Sequence, residues 1–546
     1  MKRALSLILF LALFLSTLIG CNTFIEQGQE TGESVSSYVT TFPELTTSPK
    51  TTLSETTVAE TSSPETTLPD TTVAETTTPE TTLTETTPAE TTSPETTALQ
   101  TEPPVVIRCS LNGVSINEYT IIYSENALDY NKRAAEYLRD QIEARTGYRL
   151  SVKTDKQQSK TLSHEIVVGE TNRAISKALD AKTYDLEFSI MANSKHIAME
   201  GDFFVIAAAA YYFVDKYITG EEFTSNVPKK VNIYEPIVKK AKNYIFLIGD
   251  GMGINQTQLF DVYSADGIGA YSDGESEFYG YMLPYMGFSR TNSLSGTTDS
   301  AAGGTALASG YKTKNGYVGK DGNKNDVKSL TEIAIELGKS TAVMSTEVLT
   351  GATPASFSAH ADSRDDTSII SACQKALKDT YGTLILGQYG TNYGSGTMKA
   401  MENDIRATLA GLSKNKNGFF LMYEEAYVDK HSHSNEMQNT FLAILRFNQA
   451  IGVFMEYTFY NPDTFIIITA DHETGGLSVN SSGTYYYKST NHSNANVPVF
   501  AYGYGAEVFD DVTVENIQIP KTIAKMWGYD LVGYDNENYP ALNNRK

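Results

Sequence analysis

Three short runs of apolar residues in the second half of the chain each end close to an acidic residue. Residues 244–248 precede Asp250, residues 418–423 precede Glu424, and residues 464–468 precede Asp471 and His472. Unbroken apolar runs of this length are typical of parallel strands buried on both faces. Ligands of open α/β sheets bind at the carboxyl ends of such strands. The pattern predicts an α/β fold whose carboxylates gather at one edge of a parallel sheet.

Residues 105–240 alternate patterns typical of strands with patterns typical of helices. The predicted strands are residues 119–123, 148–152 and 165–169, and the predicted helices are residues 131–146, ending at Gly147, and 207–217. The alternation resembles the small α/β domain that precedes the catalytic barrel in glycosidases of the hexosaminidase type. We expect an accessory α/β domain over residues 105–240 that is structural or contacts a glycan.

The first twenty residues have the pattern of a secretory signal peptide. Lys2 and Arg3 precede an almost wholly apolar run over residues 4–19, as in a charged n-region followed by an apolar h-region. The run ends in Leu18-Ile19-Gly20-Cys21. This tetrad resembles a bacterial lipobox, which implies that a lipid on Cys21 anchors the mature chain to the membrane. The alternatives are plain cleavage nearby or an uncleaved anchor. In each case we expect the mature chain to work outside the cytoplasm, and the lipid anchor would place it on the extracellular face of the cell membrane.

Residues 21–104 form a low-complexity segment rich in threonine, glutamate and proline. Between Glu55 and Glu95 every fifth residue is acidic, and residues 22–104 carry 14 acidic residues against one lysine. Such a segment buries too little apolar surface to offset the entropy of ordering the chain. We expect a disordered stalk that holds the folded part away from the membrane.

The composition excludes two classes of protein. With a formal net charge of −22, the chain has no excess of basic residues to neutralise a run of phosphates. We therefore expect no nucleic-acid binding. Three cysteines are too few for a disulfide-stapled scaffold. Five of the seven histidines fall in the last 190 residues, and a scarce residue so clustered suggests a metal site.

Several candidate groups lie in that region. Asp429 and His433 are spaced i, i+4, so they share one face if the segment is helical. Oxygen and nitrogen ligands without thiolates suit an open zinc site, and oxygen alone suits magnesium. Ser300 is the candidate nucleophile, because the small residues after it suit a tightly packed helix start whose amides face an anion. No Gly-x-Ser-x-Gly elbow surrounds it, which disfavours hydrolase-fold esterase chemistry.

Taken together, these segments resemble the alkaline phosphatase family over about residues 243–530. The motifs are Asp-Gly-Met-Gly at 250–253, Thr-Asp-Ser-Ala-Ala at 298–302, Ala-Thr-Pro-Ala at 352–355 and Thr-Ala-Asp-His-Glu-Thr-Gly-Gly at 469–476. The resemblance implies a three-layer sandwich around a mostly parallel sheet, with residues 241–546 as the catalytic domain. Members are often dimers, so a homodimer is implied as well.

The same resemblance implies roles for single residues. Ser300 would be the phosphorylated nucleophile and Arg364 the phosphate-binding arginine. Two zinc ions and one magnesium ion would be bound. The implied ligands are Asp429, His433 and His492 for the first zinc, Asp250, Asp471 and His472 for the second, and Thr353 and Glu424, with Asp250 bridging, for magnesium.

The implied function is extracellular, metal-dependent hydrolysis of phosphate monoesters through a phosphoserine, with net retention at phosphorus. Two alternatives remain open at this point: a phosphodiesterase of the same superfamily, or a surface binding protein with a vestigial phosphatase domain. A sulfatase would need Cys or Ser followed by Pro and Arg, whereas Ser300 is followed by Ala-Ala-Gly.

Some positions depart from the family pattern. Gly351 stands where relatives carry an acidic residue or histidine beside the magnesium waters, so fewer groups would surround that ion. Glu425 replaces the usual glycine after Glu424, and Lys430 could reach phosphate through water. Away from the ligand set, we expect His360 to be a packing residue or to support a ligand, and His431 to be solvated.

Overall fold

The computed structural model describes residues 108–179, 186–260 and 278–529. The predicted signal peptide, Cys21 and the stalk lie outside the described residues. Within the described ranges, no helix combines the length and apolar character needed to cross a membrane.

The region before residue 240 is built around a six-stranded sheet and a three-stranded one. Its strands are β1 (Cys109–Leu111), β2 (Val114–Ser115), β3 (Thr120–Tyr123), β4 (Val152–Thr154), β5 (Glu165–Val168), β6 (Phe188–Ala192), β7 (His196–Gly201), β8 (Phe223–Ser225) and β9 (Val231–Ile233). Its helices are α1 (Asp129–Thr146), α2 (Ala174–Leu179) and α3 (Val205–Tyr217). The larger sheet has the order β4-β3-β5-β7-β6-β9, with its first four strands parallel.

Most of the predicted elements in this region are confirmed, and one is displaced. Helix α1 ends where predicted, because Gly147 adopts the left-handed conformation at φ 78° and its N–H caps the Glu143 carbonyl. The strand predicted at 148–152 is wrong in its position. Pairing with β3 begins only where Val152 lies opposite Ile121, so residues 148–151 lead into the sheet instead of forming part of it.

The region from residue 241 onward is organised by an eight-stranded sheet. Its strands are β10 (Asn243–Gly249), β11 (Tyr285–Arg290), β12 (Ser340–Ser345), β13 (Leu384–Gly387), β14 (Phe419–Glu425), β15 (Thr464–Thr469), β20 (Val497–Tyr502) and β21 (Thr513–Glu515). Two short hairpin pairs lie between β15 and β20: β16 (Glu473–Thr474), β17 (Ser478–Val479), β18 (Tyr485–Tyr486) and β19 (His492–Ser493). The order is β13-β12-β14-β10-β15-β20-β11-β21, and only β20 runs against the others in this sheet. The predicted mostly parallel sheet is confirmed.

Helices cover both faces of this sheet. They are α4 (Ile254–Thr257), α5 (Ser300–Ser309), α6 (Leu330–Glu336), α7 (Ala352–Ser356), α8 (Thr367–Tyr381), α9 (Ser395–Leu412), α10 (Tyr427–His433), α11 (Met437–Tyr460) and α12 (Gln518–Met526). Alternate residues of β10 enter different cores: Ile245 and Leu247 pack on one side, and Phe246 packs on the other. Because strand side chains alternate between faces, this strand is buried twice, which explains its unbroken apolar sequence.

One hydrophobic core joins the two regions. It includes Phe204 of α3 and Phe459 of α11, whose ring centroids are 5.8 Å apart. Tyr137 of α1 stacks on Tyr460 at 4.2 Å between ring centroids. Gly452 is required on α11 for space, because a Cβ there would collide with the Tyr130 hydroxyl. The smaller region is therefore packed along α11 against the region that follows residue 240.

An ion-pair network crosses the same contact. Glu456 on α11 is 1% exposed and accepts from Arg133 of α1 at 2.7 Å and from Arg406 of α9 at 2.6 Å. Removing the shared carboxylate would leave two guanidinium groups, each about a quarter exposed, without their counter-charge.

We predict that Glu456→Gln lowers the free energy of unfolding of the full chain by about 2–4 kcal/mol. The physical reason is that breaking a buried ion pair leaves the remaining charges without a counter-charge. The measurement is urea-induced unfolding. Asp379→Asn is the matched control: it also converts a carboxylate to an amide, but in the exposed Lys375–Asp379 pair, where we expect a loss of at most about 0.5 kcal/mol. Equal losses in the two variants would contradict a stabilising role for this contact.

Candidate metal and active site

Neighbouring strands bring the predicted carboxylates to one edge of the large sheet. In the register of β10 with its two neighbours, Ile248 lies opposite both Glu424 and Thr469. Asp250 follows β10, and Asp471 follows β15, so their side chains reach the same end of the sheet. The backbone N–H of Gly251 donates to Asp471 at 3.3 Å, which ties the two loops together.

The first group of candidate ligands is Asp429, His433 and His492. Asp429 and His433 both lie on α10, as their spacing predicted, and the ligand atoms of the three residues converge within 4.8 Å. Nδ1 of His433 lies 2.5 Å from the Thr490 carbonyl, and Nδ1 of His492 lies 2.8 Å from the Thr298 carbonyl. Because a carbonyl only accepts, each Nδ1 carries the proton and each Nε2 presents a lone pair.

Those two lone pairs face each other. The Nε2 atoms of His433 and His492 are 3.0 Å apart, and they lie 3.3 and 3.4 Å from Oδ1 of Asp429. Three acceptors directed at one point repel one another unless a cation lies among them. The mixed nitrogen and oxygen donors fit zinc.

The second group centres on His472, which is fully buried. Its Nε2 lies 3.5 Å from Oδ1 of Asp250 and 3.3 Å from Oδ2 of Asp471. Asp250, Asp429 and His472 also converge within 4.8 Å, so Asp429 stands between the two groups. The resemblance implied Asp429 for the first group alone.

Thr474 links the two groups, and the sequence analysis did not identify it. Its hydroxyl donates to Oδ1 of Asp429 at 2.5 Å and lies 3.2 Å from Nδ1 of His472. Because that hydroxyl proton is used on Asp429, the oxygen accepts from Nδ1–H and leaves Nε2 of His472 free to bind a metal. Its position could have indicated this role, because Thr474 lies two residues after His472 within the motif at 469–476.

A third set of donors consists of oxygens alone. Buried oxygens of Asp250, Asp471, Glu424 and Thr353 lack hydrogen bonds of normal geometry among the described residues. Burial, followed by the charge of Glu347, raises the pKa of Glu424 well above its usual value. Burial, followed by the charges of Asp471 and Asp429, does the same for Asp250. Buried carboxylates crowded in this way require a cation to remain charged, and oxygen donors fit magnesium.

Ser300 lies beside the second group. Its Oγ is 3.3 Å from Nε2 of His472, and it is the first residue of α5. Small residues permit this approach: a Cβ on Gly303 would lie 3.0 Å from the Asp471 carbonyl oxygen. The predicted helix start at Ser300 is confirmed.

Asp299 connects the start of α5 to Arg364. One carboxylate oxygen caps the helix by accepting from the Ala302 N–H at 2.9 Å. The other accepts from the Gly316 N–H at 2.9 Å and from Nη1 of Arg364 at 3.3 Å. The guanidinium is thereby held near the helix start while remaining 39% exposed, so it is accessible to an anion.

Two nearby histidines have different surroundings. His431 is buried rather than solvated, so that prediction is wrong. Its ring lies between the Tyr393 hydroxyl, 2.8 Å from Nε2, and Glu436, 2.9 Å from Nδ1. His360 bonds to the Gly319 carbonyl and to Glu332, neither of which is a candidate metal ligand.

Glu425 points away from the metal ligands. Because strand side chains alternate, Glu424 and Glu425 face opposite sides of β14. Both oxygens of Glu425 accept from Arg446 on α11, at 2.6 and 2.7 Å, and neither side chain is exposed. Glu425 therefore fixes α11 to the sheet.

Comparison with known proteins agrees with this geometry. A sequence model of the alkaline phosphatase family matches residues 241–390 and 394–489. Alkaline phosphatase 4 of Bacillus subtilis is 28% identical over 297 residues, covering 45% of this chain and 64% of the relative. The alkaline phosphatase of Escherichia coli is 39% identical over 128 residues, covering 23% of this chain and 27% of the relative.

Among solved structures, the alkaline phosphatase of the Antarctic bacterium TAB5 is 27% identical, with a TM-score of 0.46, over 54% of this chain and all of that one. The Bacillus subtilis relative, by contrast, is matched over somewhat less than two thirds of its length. Residues 241–489, which carry the matched sequence and most of the candidate ligands, are therefore similar to the alkaline phosphatase family.

Proposed function

We propose that the chain is a metal-dependent phosphomonoesterase that acts through a phosphoserine at Ser300. The observation that carries the proposal is the position of the Ser300 hydroxyl, 3.3 Å from the buried imidazole of His472, which belongs to one of two convergent ligand groups. A hydroxyl at a buried helix start, with an accessible arginine tied to the same turn, suits attack on a phosphate ester.

The donor sets suggest how metals would be held. Asp429, His433 and His492 would hold one zinc, and Asp250, Asp471 and His472 a second. Thr353 and Glu424, with Asp250, would hold magnesium. When bound, such cations stabilise the attacking and leaving oxygens of an in-line displacement.

The protein's own groups then carry the reaction. Arg364 binds two nonbridging oxygens of the phosphate through its planar fork, a geometry that lysine cannot reproduce. Asp299 holds that fork in place. The Ser300 oxygen bonds to phosphorus as the alcohol departs, and water then displaces the Ser300 oxygen to release phosphate. Each displacement inverts the configuration at phosphorus, so two displacements in sequence retain it.

We also propose that the folded part is displayed outside the cell on a lipid anchor at Cys21. The lipobox-like residues 18–21 and the acidic stalk support this location. The accessory region contributes a cleft of about 580 Å³ at the ends of β3, β5 and β7, lined by Asn131, Glu170 and Phe203 among others. The cleft has a size suited to a small polar ligand such as a glycan unit.

The function is tested with the purified full-length chain. We expect it to release phosphate from an aryl phosphate monoester at alkaline pH and to lose that activity when a chelator removes its metals. The matched substrate is the corresponding aryl phosphodiester. A higher kcat/KM on the diester would indicate the phosphodiesterase alternative, and inactivity on both esters would favour the binding-protein alternative.

Replacing the nucleophile separates chemistry from metal binding. We predict that Ser300→Ala lowers kcat by at least about a thousandfold, as expected for loss of a covalent nucleophile. Zinc content by elemental analysis should be unchanged. Ser309→Ala is the control, because Ser309 ends the same helix and bonds only locally, to the Thr305 carbonyl and the Tyr311 N–H. Normal turnover by Ser300→Ala would show that the nucleophile is misassigned.

The anchor is tested in a bacterial host that processes lipoproteins. We predict that the full-length chain partitions into the detergent phase, because a lipidated residue adds buried acyl chain to the membrane contact. Cys21→Ser should move it to the aqueous phase, with Cys373→Ser as the control. Identical partitioning of the two variants would exclude Cys21 as the anchor.

A further inference from the structure

Gly351 is a glycine because of space rather than backbone conformation. Its φ of −56° is available to any residue. An ideal Cβ there would lie 2.6 Å from Cδ of Glu347 and still closer to a carboxylate oxygen of the same side chain. The Glu347 carboxylate therefore occupies the volume where a side chain at 351 would begin. The glycine at 351 predicted fewer polar groups on this side of the magnesium donors, but the Glu347 carboxylate lies there.

Glu347 is tied to the same strands as the magnesium donors. It follows β12, in which Ser345 lies opposite Glu424 of β14. The Ser345 hydroxyl donates to Oε2 of Glu424 and accepts from the Glu347 N–H at 3.1 Å. Through Ser345, the backbone of Glu347 is therefore tied to the carboxylate of Glu424.

Lys430 fixes the orientation of Glu347. Its Nζ pairs with Oε2 of Glu347, whose side chain is only 11% exposed. The ammonium is next to Asp429 in the chain. Its pKa, which burial alone would lower, is raised by Glu347 and, more weakly, by Asp250 and Glu424. One glutamate thus lies between a lysine at the rim and the crowded carboxylates inside.

We propose that Glu347 is a positioning residue of the magnesium site, holding a water of the hydrated cation and thereby supplying the carboxylate that position 351 lacks. The inference rests on the proposed function. Magnesium keeps several of its waters and is bound through few protein carboxylates, so a carboxylate beside Glu424 acts naturally on a coordinated water. The competing reading is that Glu347 only neutralises Lys430.

The two readings predict different results for Glu347→Gln. If Glu347 acts on the cation, Glu347→Gln weakens magnesium binding about 10–100-fold, the usual cost of losing a group that supports metal ligands. If Glu347 only neutralises Lys430, Glu347→Gln changes magnesium affinity less than about threefold.

The affinity is measured by calorimetric titration of magnesium into the zinc-loaded full-length protein, with zinc content checked by elemental analysis. Glu402→Gln serves as the control, since it removes a glutamate charge from the distant Lys399 pair. A rescue variant guards against loss of folding. Glu347→Ala removes the carboxylate from the space at 351 and leaves the Val348 carbonyl oxygen 2.9 Å from an ideal Cβ. Adding Gly351→Asp should therefore restore part of the lost affinity, whereas Gly351→Asp alone should lower the midpoint of thermal unfolding.

The outcomes distinguish this inference from the proposed function. Magnesium affinity that is equal in wild type and Glu347→Gln, or absent in wild type, overturns the inference even if phosphate esters are hydrolysed. Weakened binding in Glu347→Gln together with rescue by the double variant supports it even if the protein proves inactive on monoesters. Failure of the double variant to regain any affinity counts against the spatial exchange of 347 for 351.

Discussion

The arrangement of the site depends on keeping four buried carboxylates charged in one place. Asp250, Glu424, Asp429 and Asp471 converge at the carboxyl edge of adjacent parallel strands, and none is more than 8% exposed. Burial and mutual repulsion raise the pKa values of Asp250 and Glu424 well above their usual range. Because isolated buried charges are costly, Asp250 and Glu424 remain ionised only with cations among these groups, and without cations they bind protons.

Sheet geometry decides which acidic residues face the cations. Glu424 and Glu425 are adjacent, yet one belongs to the metal donors and the other forms a fully buried pair with Arg446. Strand alternation alone sends them to opposite faces. Gly303 of α5 meets a different constraint, because a Cβ there would lie 3.0 Å from the Asp471 carbonyl oxygen.

The sequence predicted features that depend on local pattern. Buried runs identified the strands that carry Asp250, Glu424 and Asp471, and the i, i+4 spacing identified the helical pair of Asp429 and His433. It could not predict features whose partners are distant in the chain. His431 is buried because Tyr393, 38 residues away, closes over it, and Glu347 fills the space at 351 because Lys430 holds it there. Motifs identify ligands, but the residues that orient ligands come from elsewhere in the fold.

Helix α11 connects this edge to the rest of the molecule. Near its middle, Arg446 binds Glu425, the residue directly after the candidate ligand Glu424. Near its end, Glu456 binds Arg133 of the accessory region, and Phe459 and Tyr460 pack against α3 and α1. A continuous helix is stiff over its length, so contacts of the accessory region with the end of α11 also restrain Arg446, which binds β14. The accessory region therefore has a structural role whatever its cleft binds, because the two regions share one hydrophobic core and both contact α11.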